Sequence, residues 1–408
     1  MPPEVDSPRS ATALLRGNGD FRALFTAQAI SLVGDWFLRI ALIGRVYDLT
    51  HSAPMVSALL VASSLPALLL SPLTGAIADR FERRRVLVVA DLARAAAVGA
   101  ALAATDRLAV LFATAVILSV FGGLFTAARQ AVLPSLVSKA ALPTANALTS
   151  SAWGAMGVVG AALGGVTAAV VGPQVAFAVD AASFGLSAAF LLRIHGATRP
   201  VASAETPPGI GAALRFIGRR RLVGSLIAAA ISWGIVGGVY QVLLPLLAVR
   251  RFAGGDLGIG VLYAADGVGV LLGSWGVIRF LTAERRGRVV VFGVAYVVQA
   301  ALLLAASFAP SLAVAAVLVF LMRTAGGVII PLDATLLQEE TPPALLGRIF
   351  AIHAATYGAV MQLAMVAAGG LVERFALRSV GAAAAGLGLS IGVAWLIGVA
   401  IAGPHRRK

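Results

Sequence analysis

The sequence predicts an all-α integral membrane protein with twelve transmembrane helices, arranged as two pseudo-symmetric six-helix bundles. The first observation is the composition: 59% of the 408 residues are hydrophobic and 12% are charged, whereas soluble domains carry about 25% charged residues. The second is a series of apolar stretches, each long enough to cross a hydrocarbon core of about 30 Å, which takes about 20 helical residues. The third is an internal repeat.

Polar or Gly/Pro-containing breaks divide the apolar sequence into twelve stretches. Runs such as LAVLFATAVILSVFGGLF at 108–125 are apolar on nearly all sides, whereas strands of a membrane barrel alternate apolar and polar residues. We therefore expect helices rather than strands. The predicted spans are 21–45, 53–78, 86–104, 108–128, 145–170, 174–192, 222–248, 257–281, 289–306, 311–331, 345–371 and 379–402.

The internal repeat relates the two halves of the chain. A shift of 201 residues places Ala29-Ile30-Ser31 on Ala230-Ile231-Ser232. Transporters are often built from such duplicated halves, with the substrate site between them. The predicted organisation is an N-terminal cytoplasmic segment, a bundle, a cytoplasmic linker, a second bundle and a cytoplasmic tail, over residues 1–20, 21–192, 193–221, 222–402 and 403–408.

Basic residues predict the orientation of the chain in the membrane. The sequence has 32 Lys and Arg against 18 Asp and Glu, a net charge of +14. The basic residues fall between apolar runs and lack the interleaved aromatic residues of a nucleic-acid-binding face, so no nucleic-acid partner is expected. Of the 32 basic residues, 22 lie on the side of both termini, which the positive-inside rule places in the cytoplasm. The six on the other side are Arg45, Arg107, Arg250, Arg251, Arg374 and Arg378.

The linker carries the basic cluster Arg219, Arg220 and Arg221 beside a helix that we expect near the anionic inner leaflet. Two interpretations remain open at this point. The cluster is either an anchor that fixes the topology or a specific site for lipid, and the lipid bilayer is a partner in both cases.

The sequence lacks the motifs that the common enzyme classes require. The sequence has no Cys, no GxxxxGK[ST] phosphate loop and no HExxH zinc motif. Its four histidines are scattered, and GSWG at 273–276 lacks the first glycine of GxSxG. We therefore expect no enzymatic activity, no catalytic residues, no metal and no cofactor.

The loop GAIADRFERRR at 75–85 resembles the signature loop of the major facilitator superfamily, with Glu82 at the position of its usual second glycine. The resemblance extends over nearly the whole chain, as twelve spans in two halves with a central cytoplasmic loop. It implies that the loop stabilises the outward-facing state as a conformational gate. The residues concerned are Gly75, Asp79, Arg80, Arg84, Arg85 and Asp91. The alternative is a set of positive-inside anchors.

Within the superfamily, residues 21–42, 90–95, 128–148 and 175–184 are similar to the drug-efflux and siderophore-export branch, which includes macrolide exporters and the enterobactin exporter. The fifth span has the same glycine-rich character. The resemblance implies alternating access by a monomer that exports a hydrophobic or amphipathic small molecule in exchange for protons. Its alternatives are a flippase or importer of a lipid-like metabolite and, from another class, a non-transporting membrane scaffold.

The Arg-dominated basicity and abundant Ala and Gly suggest a GC-rich bacterial genome, and hence the bacterial inner membrane.

Charged residues inside predicted spans are candidates for the transport pathway, because burying them in lipid is costly. Asp35 and Arg39 lie one turn apart on one face of the first span. They form either a proton-coupling or cation-recognition site or a fixed ion pair that joins helices. Arg323 in span ten is expected near the cavity, where it meets an anionic substrate group, Asp35 or Asp266.

Polar and aromatic residues complete the candidate set. Asp180 is interpreted as structural, with its carboxylate satisfied by a hydroxyl such as that of Ser183. Several other side chains could offer hydrogen bonds or aromatic surface to a substrate, although packing between helices explains each one alone. These are Gln28, Trp233, Tyr240, Gln241 and Gln362.

Overall fold

A computed structural model describes residues 11–138, 141–195, 210–277 and 284–401, without the side chains of Pro143, Trp153 and Pro343. Within these ranges every regular element is a helix. Residues 1–10 of the predicted N-terminal segment, residues 196–209 of the predicted linker and the predicted tail 403–408 lie outside the described residues.

The described chain forms two compact units. Unit 1 comprises Met1–His51 and Ala62–Ser203, and unit 2 comprises Ser52–Val61 and Ala204–Lys408. The helices of the first half are α1 Ala11–Gly17, α2 Gly19–Thr50, α3 Ala53–Ala62, α4 Leu65–Leu69, α5 Ser71–Arg80, α6 Arg83–Leu102, α7 Leu108–Leu136, α8 Leu142–Val170 and α9 Pro173–Leu191. Those of the second half are α10 Ile210–Arg219, α11 Arg221–Leu246, α12 Gly255–Gly276, α13 Arg285–Ser307, α14 Leu312–Glu340, α15 Pro343–Arg374 and α16 Leu377–Ile401, with a π-helical turn Leu247–Arg251 after α11.

Nine described helices are long and apolar enough to cross a membrane, or ten if the bent series α3 to α5 counts as one span. Helices α2, which carries Asp35, and α6, which carries Asp91 and Arg94, are not among these nine. At 1.5 Å per residue, the 32 residues of α2 and the 20 of α6 reach about 30 Å or more. Large apolar side chains face outward, such as Leu363 and Val170. Such exposed apolar surfaces are those of an integral membrane protein.

The second predicted span, 53–78, is not one straight helix. The chain forms α3, α4 and α5, and the axis bends by 51° between α4 and α5. Pro66 and Pro72 each stand in the first turn of a new helix. Proline has no N–H to continue a preceding helix but fits a first turn, so these two positions divide the span.

Residues Ser52–Val61 pack within unit 2 and not with the rest of the predicted bundle 21–192. Ser57 donates a hydrogen bond to the carbonyl of Met365, and the Ala53 N–H donates to Glu373 Oε1 at 3.1 Å. Gly369 permits this approach, because a Cβ there would lie 2.5 Å from the Cβ of Ser57. Helix α3 therefore packs against α15.

Local capping defines the ends of α2, the helix that carries Asp35. Asn18 accepts a hydrogen bond from the Phe21 N–H at 2.9 Å and donates to the Leu136 carbonyl at 2.7 Å. The first bond satisfies a free N–H of the first turn. At the other end His51 adopts a left-handed conformation, with φ of 46°, and its N–H donates to the Tyr47 carbonyl.

Candidate functional site

Unit 1 holds a buried cluster of charges where α2, α6 and α9 meet. Arg94 on α6 forms ion pairs with Asp91 on the same helix and with Asp35 on α2, the latter at 3.8 Å. Ser187 on α9 donates a hydrogen bond to Asp91 Oδ2 at 2.6 Å. Asp91 is fully buried, whereas the Asp35 side chain is 37% exposed. One guanidinium therefore joins a buried carboxylate to a more open one.

Two aromatic rings fix the Arg94 guanidinium. Its Cζ atom lies 4.2 Å from the ring centroid of Phe184 and 4.8 Å from that of Phe125. A cation above a desolvated aromatic face is stabilised by the ring quadrupole, by about 2 kcal/mol in favourable cases. These rings offset part of the cost of burying the charge and keep the guanidinium near α9.

The sequence-based hypothesis of a fixed Asp35–Arg39 ion pair is not what the geometry favours. Asp35 pairs with Arg94 from another helix, and the Arg39 guanidinium lies 5.3 Å from the ring centroid of Trp36. One-turn spacing puts Asp35 and Arg39 on one face but does not decide which cation is held closest to the carboxylate. That depends on the rings around Arg94.

Helices α2 and α9 approach closely beside Asp35. A Cβ on Gly34 would collide with the side chains of Asp180 and Ser183, so only glycine fits. Ser183 donates to the Asp180 carbonyl at 2.8 Å and lies 3.3 Å from Asp180 Oδ1, as the structural interpretation of Asp180 expected. Asp180 is fully buried, and its Oδ2 atom has no hydrogen-bond partner among the described residues.

Unit 2 contains a second charged network. Arg323 on α14 lies 2.7 Å from Asp266 on α12, and the Tyr240 hydroxyl on α11 donates to the same carboxylate at 2.6 Å. The Arg323 and Asp266 side chains are each 18% exposed. Of the groups that sequence analysis offered to Arg323, the structure therefore places Asp266 beside it.

Glycines bring α12 and α14 together at this network. A Cβ on Gly269 would meet the Phe320 carbonyl, and one on Gly273 would meet the Thr324 carbonyl. Small residues at such spacing let helix backbones approach closely in a membrane. Asp266 lies three residues before Gly269, on the same face, so this approach brings its carboxylate within reach of Arg323.

The remaining candidates divide into aromatic and amide side chains. Trp233 makes edge-on contacts with Tyr296 and Tyr357, with ring centroids 6.2 and 6.3 Å apart. Gln28 is buried, and its Nε2 atom donates to the Thr149 carbonyl at 3.3 Å. Its hydrogen bond joins α2 to α8, which favours the packing interpretation. Gln241 is half-buried, and Gln362 is buried.

The signature loop forms a two-residue connection between α5 and α6. Phe81 and Glu82 both have ordinary negative φ angles, −103° and −60°. No glycine is therefore needed at Glu82, whose carboxylate lies 2.6 Å from Arg85 and 3.6 Å from Arg84. Arg84 also donates to the Ile194 carbonyl at 2.8 Å.

Other gate candidates lie in different surroundings. Asp79 and Arg80 are exposed at the end of α5, and a Cβ on Gly75 would meet no atom within 4 Å. Asp91, grouped with this loop by sequence analysis, instead lies in the Arg94 cluster with Asp35. The reason is its position in the buried interior of α6, facing Ser187.

Sequence analysis missed one pair of ionisable residues that joins two long described helices. His353 Nε2 on α15 lies 3.1 Å from Asp333 Oδ2 on α14, and both side chains are mostly buried. Asp333 was overlooked because the predicted span ended at 331, whereas α14 continues to Glu340. His353 was considered only as a metal ligand, although an ionisable residue inside a span is itself a sign of function.

Known proteins resemble the chain in sequence and fold. The family model described as the Major Facilitator Superfamily matches residues 24–364. Identity is 28% over 415 residues with the uncharacterised MFS-type transporter YfiS of Bacillus subtilis (strain 168), covering 96% of each protein. It is 29% over 357 residues with the multidrug efflux pump Tap of Mycolicibacterium fortuitum, covering 81% of this chain and 84% of Tap.

A solved structure has the same fold. It is that of a bacterial homologue of the iron transporter ferroportin in the inward-facing state, with a TM-score of 0.72 over 94% of this chain and 99% of that one. The identity is 16%, so the likeness concerns the fold alone.

Proposed function

Because the chain belongs to the Major Facilitator Superfamily, we propose that it exports hydrophobic or amphipathic small molecules in exchange for protons by alternating access. Members of this family are transporters, so the chain is a multi-pass membrane transporter rather than an enzyme. Export of drug-like compounds is supported by the similarity to the efflux pump Tap. The proposal places the protein in a bacterial inner membrane as a monomer, with both termini in the cytoplasm.

The observation that carries the coupling proposal is the unequal exposure of the carboxylates around Arg94. Asp35 is 37% exposed while Asp91 and Asp180 are fully buried. Asp35 and Asp91 share one guanidinium, so two ionised carboxylates there would exceed the positive charge of Arg94. Uptake of a proton at the accessible carboxylate removes one of these charges, which reduces the cost of burial.

Protonation of Asp35 would change the links between helices. The ion pair with Arg94 is one connection between α2 and α6, and it requires a charged carboxylate. A neutral Asp35 loosens that connection, while Asp91, Phe184 and Phe125 keep Arg94 in place. A proton therefore biases the position of α2 relative to α6, as coupling between a proton and a conformational change requires.

The unit 2 network has a positioning role in this proposal. Arg323 and Asp266 compensate each other at 2.7 Å, and Asp266 holds the Tyr240 hydroxyl. Trp233, in contact with two tyrosines, contributes apolar and cation-attracting surface to the substrate. We assign conformational gating to the loop at 75–85, in which Glu82 holds Arg84 and Arg85 and the Ile194 carbonyl also holds Arg84.

The test is uptake of fluorescent cations and macrolides into inside-out vesicles with an imposed pH gradient. Wild type is compared with Asp35→Asn and with Asp48→Asn, a control on the exposed end of the same helix. We expect gradient-driven accumulation with wild type and Asp48→Asn, and its loss with Asp35→Asn at equal protein levels. Undiminished accumulation with Asp35→Asn would move the coupling site to Asp266 or Arg323.

A further inference from the structure

Helix α10, Ile210–Arg219, precedes the first long helix of unit 2 and is amphipathic. One flank belongs to the protein interior: Ala213 is fully buried, and Phe216 and Ile217 pack against the core of unit 2. This flank docks the helix against α11 and α15. Helix α10 is therefore packed against unit 2.

A second apolar flank of α10 is exposed. Ile210 and Leu214 are 60% and 54% exposed and lie one turn apart, so they adjoin on the helix surface. At about 100° per residue, Leu214 is about 60° from Ile217 and about 100° from Arg215. The helix thus presents a docked flank, then an open apolar flank, then a basic face.

The basic face of α10 carries the exposed Arg215 and Arg219, and two further exposed arginines, Arg220 and Arg221, follow at the junction with α11. In the described part of the chain none of them forms an ion pair with a carboxylate. The sequence offers no acidic residue between Glu205 and Asp256. Arg220 lies 5.9 Å from the Phe216 ring, which keeps it beside the docked flank. Positive charge is therefore concentrated here, and no carboxylate of the described residues pairs with it.

We propose that α10 and these arginines form a binding site for anionic phospholipids of the inner leaflet. Arginine binds phosphate oxygens through paired N–H groups, and polybasic segments beside a membrane attract anionic lipid. Ile210 and Leu214 enter the boundary between headgroups and acyl chains, as the apolar face of an interfacial helix does. A nucleic acid or an acidic peptide would satisfy the arginines but leave the apolar flank in water, which disfavours both.

The experiment compares the purified protein in nanodiscs of phosphatidylcholine alone and of phosphatidylcholine with phosphatidylglycerol. Hydrogen exchange reports on the amides of 210–219, and native mass spectrometry counts retained phosphatidylglycerol. We expect exchange at least about threefold slower with the anionic lipid, because binding suppresses local opening. The variant R215Q/R219Q/R220Q should lose this protection and retain fewer phosphatidylglycerol molecules.

A matched control separates the site from a general effect of charge. R107Q/R374Q/R378Q removes three exposed arginines from the side predicted to face away from the cytoplasm. We expect it to leave protection of α10 unchanged. Leu214→Ser should weaken protection in both lipids, because it removes part of the apolar flank. Equal protection with and without anionic lipid, or equal loss in both arginine triples, would overturn the proposal. Neither readout depends on transport, so the result is independent of the proposed exporter function.

Discussion

Arg94 on α6 and Asp35 on α2 form an ion pair at 3.8 Å, while the same guanidinium binds the buried Asp91 on its own helix. Phe184 and Phe125 hold the Arg94 guanidinium in place together with Asp91. Asp35 is therefore the partner whose ion pair with Arg94 can break while the rest of the cluster stays in position. A substrate-driven or proton-driven change at Asp35 therefore acts on the connection between α2 and α6.

Arg94→Gln should strongly destabilise the protein. The substitution leaves Asp91 buried without its cation, and breaking a buried ion pair costs about 3–5 kcal/mol. The free energy of unfolding in detergent, measured by denaturant titration, is the readout. Arg107→Gln, at an exposed position, should change it by less than about 0.5 kcal/mol.

The double variant Arg94→Gln/Asp91→Asn provides a further check on that prediction. With both charges removed, no uncompensated carboxylate remains at Asp91, so part of the lost stability should return. A double variant at least as unstable as the sum of both single variants would contradict the assigned role of this pair.

Gly34→Ala should disrupt the contact between α2 and α9. The added Cβ would collide with Asp180 and Ser183, and overpacking of this kind costs about 1–3 kcal/mol. Gly99→Ala is the control, because its Cβ would meet no atom within 4 Å. Thermal unfolding should occur at a lower temperature for Gly34→Ala and at an equal or higher one for Gly99→Ala. Equal behaviour of the two would argue against close packing at Gly34.

Gly273→Ala should separate α12 from α14 and weaken the Asp266–Arg323 pair. Its Cβ would collide with the Thr324 carbonyl, which belongs to backbone and cannot swing away. We expect a loss of about 1–3 kcal/mol in stability together with reduced transport. Gly276→Ala, where a Cβ meets no atom within 4 Å, should leave both properties near wild type. Transport retained at wild-type level in Gly273→Ala would contradict the positioning role of the network.

Asp333 and His353 should be energetically coupled. In a double-mutant cycle with Asp333→Asn and His353→Gln, neighbouring charged groups give interaction energies of about 0.5–3 kcal/mol. Denaturant unfolding of wild type, the two single variants and the double variant supplies the cycle, and strictly additive effects would show that the pair is incidental.

Much of the helical architecture could be predicted because length and polarity determine where a chain crosses a bilayer. The prediction 289–306 agrees closely with α13, Arg285–Ser307. Helix ends were less accessible to prediction: α7 continues to Leu136, beyond the predicted end at 128. Hydropathy falls at Arg129, whereas the helix continues because Val132, Leu133 and Leu136 pack into a hydrophobic core.

The arrangement of the candidate site was less predictable, because it depends on which helix faces meet. Asp35 was identified because a charged residue inside a predicted span is energetically costly. The sequence spacing, however, could not show that its ion-pair partner is Arg94. That choice depends on Phe184 and Phe125, which come from two other helices. The glycine contacts at Gly34 and Gly273 likewise depend on packing partners far away in sequence.

Proteoliposomes that contain the purified transporter allow coupling to be separated from substrate binding. Counterflow of a transported compound requires binding and alternation between states, whereas accumulation driven by a pH gradient also requires proton coupling. For Asp35→Asn we predict counterflow close to the wild-type rate and no gradient-driven accumulation. Gradient-driven accumulation at the wild-type level in Asp35→Asn would contradict the assignment of proton coupling to Asp35.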